Sequence, residues 1–183
     1  IDSDHMMAIS PDEGGTSRAV YLANVLGLDM GMFYKRRDYT QIVDGRNPIV
    51  AHEFLGSSVE GKDVIIIDDM ISSGDSIIDV ATELKRRKAK RIFAAATFGL
   101  FTNGLDKFDK AYEEGIIHGI LTTNLIYQTP ELLSRPYYIN CDLSKYIALL
   151  IDTLNHDGSI SSILSPNERI QHVVQKYKNG EPI

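Results

Sequence analysis

Short apolar runs rich in β-branched residues alternate along this chain with longer segments of helical period, and few folds accommodate that alternation. It predicts an α/β fold, a mainly parallel sheet with helices on both faces, because parallel neighbours need crossover helices and bury both sides of their strands. Strands are expected near Met6–Ile9, Met30–Tyr34, Ile49–Leu55, Val64–Ile67, Ile92–Thr97, Ile117–Thr122 and Tyr137–Asn140. Helices are expected over Thr16–Leu26, where Ala19, Leu22, Ala23 and Leu26 share a face, and over Ser76–Arg87, where Ile77, Val80, Ala81 and Leu84 do so. Two more are expected near Ser144–Leu154 and Asn167–Tyr177. The charged stretch Lys35–Asn47 does not alternate and reads as a mobile loop.

Composition narrows the function classes. At 183 residues with no repeat or linker, 1–183 is expected to be one domain. With 43% hydrophobic and 24% charged residues the chain can bury a core and lacks the signature of disorder. The longest apolar stretches, such as Tyr146–Ile151, fall far short of the roughly 20 residues a membrane-crossing helix needs. A net charge of −6 argues against general nucleic-acid binding. The lone Cys141 suits a reducing cytoplasm and excludes an internal disulfide. Without an evident His partner it is not expected to be a catalytic thiol. His5, His52, His118, His156 and His172 lack metal-binding spacing. The chain opens at Ile1 and enters an apolar strand within a few residues, which reads as entry partway into a longer protein.

The most informative segment is Val64-Ile65-Ile66-Ile67-Asp68-Asp69-Met70-Ile71-Ser72-Ser73-Gly74-Asp75-Ser76. An apolar strand ends in two acids, and a Ser/Gly loop then opens a helix. In an open α/β sheet, ligands bind beyond the carboxyl ends of strands, where a helix N-terminus offers N–H groups and a positive dipole end to a phosphate. Ser72, Ser73 and Ser76 add hydroxyls, and Gly74 permits close backbone approach. Asp68 and Asp69 would repel that phosphate if aimed at it, so they are expected to face sugar hydroxyls or a Mg²⁺ on the same ligand. A sugar-phosphate site results. The plainer alternative is a capped helix with solvated acids, which requires neither paired acids nor three serines.

The run Ile66–Ser76 resembles the phosphoribosyl diphosphate motif of the type I phosphoribosyltransferase fold. Ile9-Ser10-Pro11-Asp12-Glu13-Gly14-Gly15-Thr16-Ser17-Arg18-Ala19 is similar to a segment of the ribose-phosphate diphosphokinases, as are Tyr34-Lys35-Arg36-Arg37 and Ala95-Ala96-Thr97-Phe98-Gly99-Leu100-Phe101-Thr102-Asn103-Gly104. So is Asn155–Leu164, which in that family borders a subunit-interface regulatory site and on its own reads as a helix end followed by a short strand. The resemblance covers nearly the whole chain but only the C-terminal half of such an enzyme. It implies transfer of diphosphate from ATP to ribose 5-phosphate, with Asp12 serving Mg²⁺ and with Lys35 and Arg37 stabilising the transferring group. The 5-phosphate would fall to Ser72, Ser73, Gly74, Asp75 and Ser76, and the ribose hydroxyls to Asp68 and Asp69. It further implies ATP contacts from an absent N-terminal half, little or no activity for this chain alone, and a cytoplasmic homo-oligomer. Ser72 stands where many members have Asp, and Phe98 where His is usual. Residues 38–46 also lack the prolines common after the basic triplet. A phosphoribosyltransferase that uses a nucleobase, and a non-catalytic regulatory subunit of a synthetase, remain the two rivals.

Overall fold

A computed structural model of the chain describes residues 1–37, 49–164 and 166–182, with the side chains of 35–37, 49–52 and 162 outside the description. Seven strands form one sheet: β1 (Met6–Ser10), β2 (Asp29–Arg37), β3 (Ile49–Leu55), β4 (Asp63–Ile71), β5 (Arg91–Gly99), β6 (Gly119–Thr123) and β7 (Tyr138–Cys141). Their order is β3-β2-β1-β4-β5-β6-β7, parallel throughout except for the antiparallel pairing of β2 with β3. The helices are α1 (Thr16–Leu26), α2 (Asp75–Arg86), α3 (Asp106–Glu113), α4 (Pro130–Leu133), α5 (Ser144–Asn155), α6 (Ser161–Leu164) and α7 (Asn167–Asn179).

The period of two in β1 sorts its side chains between two cores. Met7 and Ile9 join Val64, Ile66, Ile92 and Ala94 beneath Ile77, Val80, Ala81 and Leu84 of α2 and Phe108 of α3. Ala8 points the other way and packs with Ala23 of α1 and with Leu28. Full burial of each large side chain, such as Phe33, Phe108, Ile66 or Ile92, contributes about 1.5–3 kcal/mol. Helices thus cover both faces, as the sequence pattern predicts.

From β1 the chain crosses to β2 on one side, and β4 then returns to the other side of β1 before the chain continues to β5. The order therefore reverses between β1 and β4, and in open α/β sheets the carboxyl ends of two such strands are where a ligand crevice forms. Both β4 and β5 run further than their apolar cores, to Ile71 and Gly99, because Asp68 and Met70 keep pairing with Ala96 and Phe98. Backbone hydrogen bonding carries them past the point where hydropathy stops. The short strand expected before Leu164 is instead the helical turn α6, while α3 and α4 occupy gaps between strands for which the sequence pattern set no helix bounds. The loop expected over Lys35–Asn47 begins as ordered strand through Arg37, and 38–48 lie outside the described residues.

Candidate functional site

At the end of β1 the chain turns through Pro11–Gly15 into α1. This turn folds around Asp12, whose Oδ1 accepts the Gly15 N–H at 3.0 Å while its carbonyl accepts the Ser10 hydroxyl at 2.6 Å. A Cβ on Gly15 would lie 2.8 Å from Ser10 Oγ and 3.3 Å from the Ile67 carbonyl oxygen, so the turn sits directly against β4. That approach leaves no room for a side chain. One turn into α1, Arg18 reaches the acids at the end of β4, with Nη2 3.3 Å from Asp69 Oδ2 and 3.7 Å from Asp68 Oδ1. These separations exceed good hydrogen bonds, and the Arg18 Nε is buried with no partner among the described residues. Charge rather than directed hydrogen bonding holds the guanidinium there.

The two acids have ordered backbone partners. Asp68 Oδ1 accepts the Asp69 N–H and Asp69 Oδ1 accepts the Met70 N–H, both at 2.8 Å. Asp68 is half-buried; burial raises its pKa above the ordinary carboxylate value, and the neighbouring Asp69 and Asp12 add to the rise. A group in that condition gains from a cation or from hydroxyl donors.

Beyond the acids, Ile71 and Ser72 are laced to the end of β5: Leu100 N–H bonds the Ile71 carbonyl at 2.8 Å and Thr102 N–H the Ser72 carbonyl at 3.1 Å. Gly74 precedes α2 with φ +85°, a left-handed conformation suited to glycine. A Cβ there would also meet the Phe108 ring at 2.2 Å. The Ser73 hydroxyl donates to Asp75 Oδ2 at 2.8 Å, and the other Asp75 oxygen pairs with Lys107 of α3. These contacts, the lysine first, hold the Asp75 carboxyl below its usual pKa. The first turn of α2 follows, with the N–H groups that every helix start leaves without helical partners.

The turn that carries Asp12 lies against the end of β4, which carries Asp68 and Asp69, and Ser72, Ser73, Gly74, Asp75 and Ser76 form the adjoining turn into α2. Lys35 and Arg37 lie in the last part of β2, the strand beside β1, in register with His52 and Ile49. Their side chains lie outside the described residues. Arg18, Lys107 and Phe108 were not singled out in the sequence as site residues. Arg18 sits inside the quoted motif without an assigned role, and the other two reach the loop from a helix distant in sequence. Among the described residues no three His, Cys, Asp or Glu side chains gather around a common point as a metal cage would require. No described helix is long and apolar enough to cross a membrane.

A mostly parallel α/β sheet with an acid pair at its switch point and a Ser/Gly turn opening the next helix belongs to the open-sheet class in which ligands bind beyond the carboxyl ends of the strands. Residues 4–119 match the phosphoribosyl transferase domain family, and the chain belongs to it. It is 31% identical over 164 residues to a Vibrio parahaemolyticus protein named ribose-phosphate pyrophosphokinase, covering 88% of this chain and 49% of that protein. A Mycoplasma genitalium protein of the same name is 33% identical over 124 residues, 67% of this chain and 35% of its own length. The chain spans about half the length of the first of these relatives and a smaller share of the second. Its fold resembles that of a solved phosphoribosylpyrophosphate synthetase from Mycobacterium smegmatis, with a TM-score of 0.69 at 24% identity over 84% of this chain and 46% of the other.

Proposed function

We propose that this chain, as one phosphoribosyltransferase-like domain, is the ribose-5-phosphate-binding C-terminal half of a ribose-phosphate diphosphokinase. In the whole enzyme the 1-hydroxyl oxygen of ribose 5-phosphate attacks the β-phosphorus of ATP. The bond from that phosphorus to the α-phosphate oxygen breaks, the hydroxyl proton is lost, and 5-phosphoribosyl 1-diphosphate and AMP result. Such a transfer asks little covalent work of the protein, which positions the reactants and offsets their charge.

The observation that carries this reading is the acid pair Asp68 and Asp69 at the end of β4, with Arg18 against it, the Asp12 turn packed beside that strand, and the Ser72–Ser76 turn following it. The turn takes the 5-phosphate largely through backbone N–H groups, and Asp68 and Asp69 accept from the ribose hydroxyls. Arg18 shields the acid pair from mutual repulsion until those donors arrive. Lys35 and Arg37 offset charge on the transferring diphosphate. Asp12 suits Mg²⁺, since one of its oxygens is fixed by the Gly15 N–H and that cation binds through one or two carboxylates plus ligand phosphates rather than a protein cage. When bound, the ion neutralises phosphate charge. ATP is held mainly by the other half, so this chain alone binds sugar phosphate without turning it over. A cytoplasmic homo-oligomer is the natural setting.

Calorimetric titration of the chain with ribose 5-phosphate, with and without Mg²⁺, tests this directly. Saturable binding, tighter with Mg²⁺, is expected; a well-folded chain that binds nothing overturns the assignment.

A further inference from the structure

Asp75 poses an electrostatic problem for a phosphate site. It is the first residue of α2, beside the N–H groups that would receive the phosphate. A carboxylate in the first turn of a helix is drawn to those same groups and to the positive end of the dipole. Left to itself it would act as an internal anion competing with the ligand, and it would repel a dianion from any position near the turn.

Two contacts draw the Asp75 carboxylate aside. Lys107, the second residue of α3, pairs with one oxygen, and the Ser73 hydroxyl donates to the other at 2.8 Å. The lysine is held in place because its neighbour Phe108 is buried against Gly74, the residue immediately before Asp75. Helix α3 therefore supports the turn sterically through one side chain and electrostatically through the next. The other cation near this position, Lys110, belongs to the same open cleft between α2 and α3 but pairs with Glu114 at 3.8 Å.

We propose that Lys107 is a positioning residue for phosphate binding, acting through Asp75: it holds that carboxylate off the N–H groups of the turn and cancels its charge. The inference rests on the sugar-phosphate reading of the turn. It goes beyond that reading by adding a residue from a separate helix and by giving Asp75 a role opposed to binding unless neutralised.

The test is titration of ribose 5-phosphate into the full chain and its Lys107→Gln, Lys107→Arg, Asp75→Asn and Asp75→Asn/Lys107→Gln variants, at low and high salt. Lys107→Gln is expected to weaken binding about fivefold at low salt, the scale of one charge at a helix end. The loss should shrink at 1 M salt, and Lys107→Arg should restore most of the affinity. Asp75→Asn should tighten binding, and in its background Lys107→Gln should matter little, because no carboxylate remains to be restrained. Unchanged affinity in Lys107→Gln, while the parent chain binds, overturns the role of Lys107 alone. An equal loss with and without Asp75 overturns action through Asp75. Failure of the folded parent to bind ribose 5-phosphate overturns the reading of the turn and this inference with it.

Discussion

Two strand–turn–helix units flank the switch point, and they use an acid in opposite ways. In the turn from β1 to α1, Asp12 folds inward and its carboxylate takes the Gly15 N–H at 3.0 Å. In the turn from β4 to α2, Asp75 is drawn outward by Lys107 and Ser73. The first turn satisfies a backbone donor with its own carboxylate and keeps negative charge in the crevice, which suits a cation. The second removes negative charge from its donors, which suits an anion. Adjacent copies of one local architecture thus differ in the placement of a single carboxylate, and Asp68 and Asp69 lie between them. Under the proposed function, that division suits a phosphorylated sugar carrying a metal-bound phosphate.

The comparison breaks most decisively at the acids between the turns. Asp68→Asn with Asp69→Asn should weaken ribose 5-phosphate by about 100-fold, the worth of two hydrogen bonds to charged acceptors. Circular dichroism should show the fold intact, since both asparagines still accept the local N–H groups. Undiminished affinity in calorimetry would mean that the acids do not meet the sugar. Gly74→Ala comes next: its Cβ would meet Phe108 at 2.2 Å in a left-handed backbone, so a loss of about 2 kcal/mol of stability is expected. The displaced turn should also weaken phosphate binding by about tenfold. A melting curve superimposable on that of the parent would show that the turn tolerates a side chain.

How much of this was legible in advance depended on the range of the interaction. Helix α1 runs from Thr16 to Leu26 as its apolar face predicts, and the crevice follows from the strand alternation together with the acid pair. The overrun of β4 past Ile67 was hidden because Asp68 and Asp69 are strand residues that are half-buried and exposed, respectively, and hydropathy marks only strand that is buried. Helix α3 was hidden for a related reason. It has eight residues and buries only Phe108 and Ala111, too short a stripe to establish a period. Nothing in the local sequence therefore distinguishes Lys107 from any other charge on a polar segment. Its contact with Asp75 spans 32 residues of sequence, a tertiary pairing that local pattern cannot carry. The inward fold of Asp12, by contrast, is local turn chemistry and accords with the acid-and-glycine composition of its segment.

Asp12→Asn sharpens the contrast between the turns with a smaller effect. Asparagine still accepts the Gly15 N–H, so the turn keeps its shape while losing its charge. The tightening of ribose 5-phosphate by Mg²⁺ should fall by about fivefold, the scale of one solvent-screened charge contact. Binding without Mg²⁺ should tighten slightly, since one negative charge facing a phosphate is gone. Equal weakening with and without the ion would mean that Asp12 supports the turn and not the cation.

The smallest effect concerns the ligand-free protein. Burial, with Asp69 and Asp12 beside it, raises the Asp68 pKa in the folded state, so the folded chain favours the protonated carboxyl more than the unfolded chain does. Below the unfolded value, about 3.9, both states hold the proton and Asp68 contributes no penalty. As pH rises from there through the folded pKa, the unfolded chain ionises first and stability is lost; above that window the penalty is constant. The single change Asp68→Asn removes the ionisation but keeps an acceptor for the Asp69 N–H. It should therefore melt higher than the parent at neutral pH, and the advantage should vanish in acid. An Asp68→Asn chain that melts lower at neutral pH would mean that the attraction of Arg18 outweighs burial, and that the acid pair is already compensated before any ligand arrives.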